Sequence, residues 1–339
     1  MNRRSFLAAA AAAAPLGLRS PLSAAPPPSK MGIATTSYMT YARYTEPLAF
    51  LDHCHALGAA GVQVQLPRDP AAVRKIRARA EQLGMYLEAS VPLPKSNDTA
   101  DYEAALKTAQ EAGVVAVRST SSGGRRYEKW TNLADWKAFV TETTAAIKAV
   151  STIAERLRVP VGMENHKDWT IAEQVALMKQ FGNRYFGTLL DFGNNIALLD
   201  APEAVLELAP FARMCHIKDM AVEPWSKGFL LSEVPLGSGI LDLPNMVRTI
   251  RNANPGIRFT LEMITRDPLE VPCLEDVFWA TFPDRNGRFL SRTLTMVARE
   301  SRRLQPLPRY SRLSKEAQLR VEEDNVKMCL HSAREMLAL

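Results

Sequence analysis

Val159-Pro160-Val161-Gly162-Met163-Glu164-Asn165-His166 is an apolar run that ends in charged and polar groups. Its first half is typical of a short buried strand, and the strand ends in a carboxylate and an imidazole. Packing alone gives no reason for such side chains at the tip of a buried strand. Groups of this kind usually belong to a binding or catalytic site, so the segment predicts a functional strand end.

Three later apolar segments repeat this pattern and carry Asp191, His216 and Glu262. The first two intervals, from Glu164 to Asp191 and on to His216, are 27 and 25 residues, about one strand-plus-helix unit, and the last is 46 residues. Because the carboxyl ends of parallel barrel strands meet at one face, we expect the four side chains to converge. They form a ligand set for one divalent metal ion. Mostly oxygen ligands favour Mn²⁺, Mg²⁺ or Co²⁺, and Zn²⁺ is also compatible.

Eight apolar runs alternate with amphipathic stretches from Met31 onward. Regular strand-plus-helix units call for a parallel sheet, and eight of them favour a single closed (β/α)₈ TIM barrel. No Gly-x-Gly-x-x-Gly motif opens the first crossover, which argues against an open dinucleotide-binding sheet. The predicted strands are Ile33–Tyr38, Gly61–Leu66, Tyr86–Val91, Val114–Ser119, Pro160–Asn165, Phe186–Asp191, Arg213–Lys218 and Ile257–Ile264. Long loops, Asp219–Gly239 and Arg266–Tyr310, are expected after the seventh and eighth strands to shape the pocket.

The bulk composition indicates an ordinary globular protein. The 339 residues are 47% hydrophobic and 23% charged, which excludes a disordered chain. The net charge is +6, of which Arg3, Arg4 and Arg19 contribute three, and no basic cluster is interleaved with aromatic residues, so nucleic acid is not an expected partner. The four cysteines are far apart and form no Cys-x-x-Cys motif, so neither a zinc nor a redox motif is indicated.

The first thirty residues are predicted to be a targeting signal and a short linker rather than part of the fold. Asn2–Leu7 contains a twin arginine, an Ala-rich stretch follows, and Ser23-Ala24-Ala25 supplies small residues for a signal peptidase. This order is typical of a twin-arginine export signal, so residues 1–25 are expected to be the signal, 26–30 a linker and 31–339 the barrel. The apolar run is too short and Ala-rich for a transmembrane span. We therefore expect a periplasmic or otherwise exported protein that meets the twin-arginine machinery.

Several motifs together resemble the xylose isomerase-like TIM-barrel superfamily, and especially its sugar phosphate isomerase/epimerase branch. These motifs are Glu-Asn-His at 164–166, Leu-Asp-Phe-Gly-Asn-Asn at 190–195, Cys-His-Ile-Lys-Asp at 215–219, Pro-Leu-Gly-Ser-Gly-Ile-Leu-Asp at 235–242 and Thr-Leu-Glu at 260–262. The resemblance covers roughly residues 31–253 plus Glu262. It implies that Glu164, Asp191, His216 and Glu262 are the metal ligands. In the ketose 3-epimerases of this superfamily the two glutamates are also acid and base, which implies the same roles for Glu164 and Glu262.

The chemistry expected of such a site is isomerisation or epimerisation of a sugar or keto-sugar. A proton beside a carbonyl is too weakly acidic for an unaided carboxylate, and a divalent ion would stabilise the resulting enediolate. His166 and Lys218 are expected to assist catalysis by hydrogen-bonding sugar oxygens or the enediolate. Asn194 is expected to contact the substrate. Further candidate substrate contacts at strand ends are Tyr38, Gln65, Glu88 and Arg118, of which Glu88 and Arg118 could equally form a structural ion pair.

The chain departs from the epimerase pattern at two positions. Asn194 stands where epimerases often carry a histidine, and Val222 where an arginine is expected past the metal histidine. Lys218 could replace that arginine. Outside the site only His53, His55 and His331 remain, which is too few for the trinuclear-zinc endonuclease branch, so DNA repair is excluded.

Three alternatives therefore remain open at this point. The same enolate could expel a leaving group, which would make the protein a 3-keto-glycoside lyase or dehydratase. A non-catalytic sugar-binding barrel would bind ligand without exchanging the substrate's α-proton. A role in binding a partner protein would use the 266–310 loop. A homo-oligomer is compatible with the sequence, which indicates no particular assembly.

Overall fold

The computed structural model describes residues 29–95, 98–301 and 306–339. The predicted export signal at 1–25 and most of the linker lie outside the described residues. In this part of the chain, no helix is both long enough and apolar enough to cross a bilayer.

Eight of the described strands form a closed parallel barrel, as the alternation of strands and helices predicts. The order around the barrel is β1-β10-β7-β6-β5-β4-β3-β2, so the first and last barrel strands pair and close the cylinder. The strands are β1 (Gly32–Ala34), β2 (Gly61–Val64), β3 (Tyr86–Ser90), β4 (Ala116–Ser119), β5 (Val161–Glu164), β6 (Phe186–Asp191), β7 (Ala212–Ile217), β8 (Asp219–Trp225), β9 (Gly228–Val234), β10 (Phe259–Leu261) and β11 (Leu269–Val271).

Helices cover the outside of the barrel. Amphipathic faces such as Val73, Ile76 and Ala80 of α2 pack against the strands, which is the arrangement expected of a βα unit. The helices are α1 (Pro47–Ala56), α2 (Pro70–Leu83), α3 (Ala100–Glu111), α4 (Arg126–Lys129), α5 (Leu133–Leu157), α6 (Ile171–Phe181), α7 (Leu243–Ala253), α8 (Asp276–Trp279), α9 (Gly287–Glu300) and α10 (Lys315–Leu337). Segments of 3₁₀-helix span Thr35–Tyr38, Asn194–Leu198, Pro202–Phe211 and Tyr310–Arg312.

One aromatic ring crosses the amino-terminal ends of β1 and β2. Tyr86 of β3 lies across β1 and β2, and its hydroxyl donates to the carbonyl oxygen of Phe259 at 3.1 Å. A Cβ atom at Gly32 or Gly61 would overlap this ring. β1 and β2 therefore carry glycine where the ring crosses them. The polar strand ends lie at the opposite, carboxyl end of the barrel.

The strand boundaries differ from the predicted ones mainly at the first and last barrel strands. The predicted strand Ile257–Ile264 is too long, because β10 spans only Phe259–Leu261. The predicted strand Ile33–Tyr38 is wrong after Ala34, because Thr35–Tyr38 turns into a 3₁₀-helix. The hydroxyl of Ser37 in this turn donates to the carbonyl oxygen of Leu261 at 3.0 Å, which ties the turn to the end of β10. Tyr38 is therefore carried away from the strand end.

The two long connections contain more regular structure than the sequence analysis anticipates. β8 and β9 form an antiparallel hairpin after β7, and β11 adds a third strand to it. The buried carboxylate of Asp219 accepts backbone hydrogen bonds from Gly237 and Gly239 at 3.0 and 2.8 Å, which fixes the base of the hairpin. A small sheet thus stands beside the face of the barrel where the strand ends converge.

Candidate metal centre

Glu164, Asp191, His216 and Glu262 meet at the carboxyl end of the barrel, and we call these four residues the metal group. One ligand atom from each lies within 4.8 Å of the others. Glu164 and Asp191 are the last residues of β5 and β6, His216 is next to last in β7, and Glu262 directly follows β10. Asp191 and His216 are partners in the β6–β7 register, which explains why side chains 25 residues apart in sequence are neighbours.

The backbone around Asp191 is held by the asparagine of the opening sequence stretch. The side chain of Asn165 donates to the Asp191 carbonyl oxygen at 2.8 Å and accepts from the Asp191 N–H at 2.7 Å. One Asp191 carboxylate oxygen, Oδ1, accepts from the N–H groups of Gly193 and Asn194 at 3.0 and 2.8 Å. The other, Oδ2, faces the metal group.

The hydrogen bonds of His216 fix which of its nitrogens faces the metal group. Nε2 lies 3.0 Å from Oε1 of Gln63, and Nε2 of Gln63 donates to Glu88 at 3.2 Å. Because Gln63 must donate to the carboxylate, its oxygen faces His216, and His216 Nε2 is the donor. His216 Nδ1 then faces Glu262, Glu164 and Asp191 at 3.5, 3.8 and 3.9 Å and has no hydrogen-bond partner among the described residues.

Burial makes the charges of the metal group costly without a cation. Glu164, Asp191 and His216 are fully buried, and Glu262 is 4% exposed. Burial, with the charges of Glu262 and Glu164, raises the pKa of Asp191 against the opposing effect of Lys218. Burial lowers the pKa of His216, but the surrounding carboxylates outweigh it and raise that pKa to about 9. Three carboxylates and an unpartnered imidazole nitrogen fit a divalent cation, which would stand where a proton otherwise sits.

Two cations, the buried Lys218 and the partly exposed Arg118, partly balance the carboxylates. Nζ of Lys218 lies 2.9 Å from Asp191 Oδ2 and also hydrogen-bonds Glu262. Nε of Arg118 donates to Glu164 at 2.7 Å. Burial raises the pKa of the Glu164 carboxyl, but Arg118 outweighs this effect and holds it well below its usual range. Both residues were predicted from their strand positions, and the structure brings both to the metal group.

Asn194 links the metal group to a third cation that the sequence analysis missed. The side-chain amide of Asn194 donates to Glu164 at 3.1 Å, and its oxygen accepts a hydrogen bond from Nζ of Lys167. Lys167 is only 4% exposed. A lysine directly after a Glu-Asn-His strand end was the available signal, but strand alternation does not extend past Glu164 to orient it.

His166 and Glu88 lie at the edges of the site. Nδ1 of His166 is 3.3 Å from the carbonyl oxygen of Gly124, and the side chain is partly exposed beside Glu164. Glu88 accepts hydrogen bonds from Gln63 and from Thr260 at 3.2 and 2.8 Å, so it supports His216 through Gln63. Among the described contacts Arg118 pairs with Glu164 and not with Glu88, so the alternative of a Glu88–Arg118 ion pair is wrong.

Two predicted substrate contacts lie apart from the metal group. The hydroxyl of Tyr38 donates to Glu323 of α10 at 2.7 Å and lies 3.1 Å from His53 of α1. Gln65 is exposed just past the end of β2. Gln63, two residues earlier on the same strand face, is the glutamine that reaches His216, and its signal was a lone polar residue inside an apolar strand.

The two departures from the epimerase pattern also have definite positions. Asn194 is buried and bonded to Glu164, where a histidine is often found. Val222 is buried within β8 and contributes no charge. Lys218 supplies the cation beside Asp191 and Glu262 instead.

Comparisons with known proteins identify the family of the barrel. A family model described as xylose isomerase-like TIM barrel matches residues 51–280. The 3-oxo-isoapionate decarboxylase of Pectobacterium atrosepticum is 30% identical over 186 residues, which is 54% of this chain and 62% of that protein. The chain therefore matches somewhat less than two thirds of that relative's length.

Several solved structures, two of them of sugar epimerases, share the fold. D-psicose 3-epimerase with D-fructose superposes with a TM-score of 0.55 at 16% identity, over 80% of this chain and 99% of that one. The 3-keto-D-glucoside 4-epimerase of E. coli gives 0.52 at 14% identity, over 80% and 99%. The IOLI protein with a bound zinc atom gives 0.51 at 12% identity, over 81% and 99%. At these identities the likeness establishes the fold alone.

Proposed function

The chain belongs to the xylose isomerase-like TIM barrel family, and from that premise we propose that it is a divalent-metal-dependent enzyme of sugar or keto-sugar conversion. It removes and returns the proton next to a substrate carbonyl, in an isomerase or epimerase reaction. The observation that carries the proposal is the metal group itself, four buried ligand atoms within 4.8 Å of one another at the carboxyl face of the barrel. Catalytic residues of this fold lie at that face.

The metal group would hold one Mn²⁺, Mg²⁺ or Co²⁺ ion, and Zn²⁺ also suits its ligands. When bound, the cation supplies positive charge that stabilises the negative charge developing on the substrate's carbonyl oxygen. Glu164 and Glu262 reach the site from β5 and from the end of β10, two strands that are not neighbours in the barrel. Two carboxylates from different sides of the site can remove a proton and return it, as general base and general acid.

Other polar groups of the site are assigned to orienting and stabilising roles. Lys218 lies beside both Asp191 and Glu262, where its ammonium would stabilise an enediolate oxygen. Arg118 and Asn194 each bond Glu164 and would hold its carboxylate in place while contacting the substrate. His166 is the partly exposed imidazole next to this group and would hydrogen-bond a sugar hydroxyl.

The remaining predicted contact residues lie farther from the metal group. Glu88 supports the site through Gln63. Tyr38 and Gln65 would reach a substrate only where it extends beyond the metal group, since neither touches the four residues.

Decarboxylation is a second candidate, favoured by the relative that is a 3-oxo-isoapionate decarboxylase. In a 3-oxo acid, breaking the bond to the carboxyl carbon releases CO₂ and leaves the electron pair on the α-carbon as an enolate. That enolate is then protonated by a general acid, so the same residues would serve. A lyase or dehydratase acting on a 3-keto-glycoside starts from the same anion, whereas a sugar-binding barrel without activity would form none.

The experiment that separates these functions is hydrogen exchange in ²H₂O. The metal-loaded protein is incubated with ketoses, 3-keto-glycosides and 3-oxo sugar acids, and deuterium at the α-carbon, CO₂ and released groups are measured. We expect deuterium incorporation with at least one substrate and a loss of about 10²–10⁴-fold in Glu262→Gln, the size of a general acid–base contribution. Exposed Glu155→Gln is the matched control. Exchange at the wild-type rate in Glu262→Gln contradicts the catalytic assignment.

We further propose that the chain is exported by the twin-arginine machinery. The proposal rests on Arg3-Arg4 and the Ala-rich stretch after them. In cell fractionation, the wild-type chain should appear in the periplasm, and a variant with both arginines changed to lysine should remain in the cytoplasm. Equal distribution of the two chains contradicts export by this route.

A further inference from the structure

Lys167 is a buried cation that the proposed reaction does not use. It is 4% exposed, and its ammonium donates to the side-chain oxygen of Asn194. Among the described residues it forms no ion pair. Burial, followed by repulsion from Lys218, lowers the pKa of Lys167 to about 8. A buried ammonium held by a neutral amide is costly, and such groups are usually matched by an anion.

The charges around the metal group leave room for that anion. The carboxylates of the metal group already have cationic partners, since Arg118 pairs with Glu164 and Lys218 lies between Asp191 and Glu262. Lys167 approaches the metal group only through Asn194. Among the described contacts, Lys167 therefore has no anionic partner in the metal group. A bound divalent cation would add further positive charge to this region.

The other buried carboxylates near Lys167 are hydrogen-bonded by other groups. Glu233 of β9 is buried and paired with Arg266 at 2.7 and 3.3 Å, which makes a neutral pair beside Lys167. The carboxylate of Asp168 accepts from the hydroxyls of Ser121 and Ser122 at 2.5 and 2.9 Å and from the backbone N–H of Trp169 at 2.9 Å. Glu88 accepts hydrogen bonds from Gln63 and Thr260, so among the described contacts the ammonium of Lys167 is left with Asn194 as its partner.

We propose that Lys167 is a specificity-determining residue that binds a carboxylate of the substrate, so that the substrates are oxo sugar acids rather than neutral sugars. This inference rests on the proposed function of the metal group. A carboxylate carries one negative charge, which matches one ammonium, whereas a phosphate would bring nearly two. On binding, the carboxylate would replace the neutral side-chain oxygen of Asn194 as the hydrogen-bond acceptor of the Lys167 ammonium. The new hydrogen bond would be charge-assisted.

Binding calorimetry with unreactive ligands tests the inference without turnover. The Mn²⁺-loaded protein is titrated with gluconate, with the uncharged polyol glucitol and with glucitol 6-phosphate. We expect gluconate to bind at least about tenfold more tightly than glucitol, as a hydrogen bond between charged groups supplies. That preference should disappear in Lys167→Met, persist in Lys167→Arg, and be unchanged in Lys148→Met, an exposed control.

Each other outcome overturns the inference. A preference for gluconate that survives in Lys167→Met, or equal binding of gluconate and glucitol by the wild type, excludes Lys167 as the carboxylate site. A stronger, Lys167-dependent preference for the phosphate ester assigns the site to phosphorylated sugars instead. Deuterium exchange distinguishes the two levels of failure. If neutral keto-sugars exchange at equal rates in wild type and Lys167→Met, the proposed function holds and the carboxylate site is refuted. If gluconate binding depends on Lys167 but no substrate shows exchange or CO₂ release, the carboxylate site holds and the proposed function is refuted.

Discussion

The side chains of Gln63 and His216 share a hydrogen bond of 3.0 Å between Oε1 and Nε2, although 153 residues separate them. Glu88 fixes the orientation of Gln63, so the imidazole presents Nδ1 to the three carboxylates of the metal group. Interactions of this kind set the tautomer and the ring orientation of a metal-binding histidine.

Replacing Gln63 by leucine should weaken metal binding by about 10–100-fold, the usual cost of losing a partner of a ligating histidine. Gln65→Leu is the matched control, because Gln65 is two residues further along the chain and is exposed just past the end of β2. Competition with a fluorescent chelator measures the affinity for Mn²⁺ in each variant. Equal affinities in the two variants would show that Gln63 does not orient His216.

Removing the charge of Lys218 should destabilise the metal-free protein more than the metal-loaded one. In Lys218→Met, Asp191 and Glu262 lose their buried cation, and breaking such a pair costs about 3–5 kcal/mol. A bound divalent cation would restore the positive charge. Melting temperatures with Mn²⁺ and with a chelator should therefore differ more in Lys218→Met than in wild type or in Lys148→Met. An equal loss under both conditions would indicate a packing role for Lys218.

Acid should weaken the junction between α1, α10 and the turn after β1. Burial raises the pKa of Glu323, but hydrogen bonds from His53, Tyr38 and Lys327 outweigh it and lower that pKa from 4.5 to about 2. Because the folded-state pKa is depressed, this stabilisation is fully present above about pH 4.5 and is lost as the pH falls towards 2. Urea unfolding should show a shallower acid limb in Glu323→Gln than in wild type or Glu155→Gln. Parallel acid limbs in all three proteins would refute the assignment.

The ring of Tyr86 should make any side chain at Gly61 destabilising. A Cβ at Gly61 would overlap the root of this ring, which cannot swing away without disturbing β3. Gly61→Ala should lower the free energy of unfolding by about 1–3 kcal/mol, the usual cost of overpacking. Gly287→Ala is the control, since no atom lies within 4 Å of a Cβ built there. Chemical denaturation measures both, and equal stability would contradict the packing described for the amino-terminal end of the barrel.

The sequence was sufficient for the barrel and for the metal group because both follow from one regularity. Apolar runs at βα spacing predict parallel strands, and parallel strands bring their carboxyl ends to one face. Glu164, Asp191, His216 and Glu262 could therefore be placed together without knowing any distance. Their convergence depends on register alone.

Residues beyond the strand ends could not be placed in this way. Strand alternation would place Gln63 and Gln65 on the same face. Because β2 ends at Val64, Gln63 is buried inside the strand and Gln65 is exposed beyond it. Tyr38 leaves the site because the chain turns into a 3₁₀-helix after Ala34. Lys167 lies three residues beyond the end of β5 at Glu164, where strand alternation no longer predicts the direction of a side chain. The β8–β9 hairpin includes Pro224, which weakens its strand signal.

Metal stoichiometry is the most direct test of the central claim, that four side chains from separate strands hold one divalent cation. Mn²⁺ titration of the chelator-treated protein, followed by electron paramagnetic resonance, should give one tight site per chain in the wild type. Asp191→Asn and His216→Leu should each abolish that site while circular dichroism remains unchanged, and Glu155→Gln should retain it. Wild-type protein that binds no divalent cation, or variants that bind it as tightly as wild type, would contradict the account.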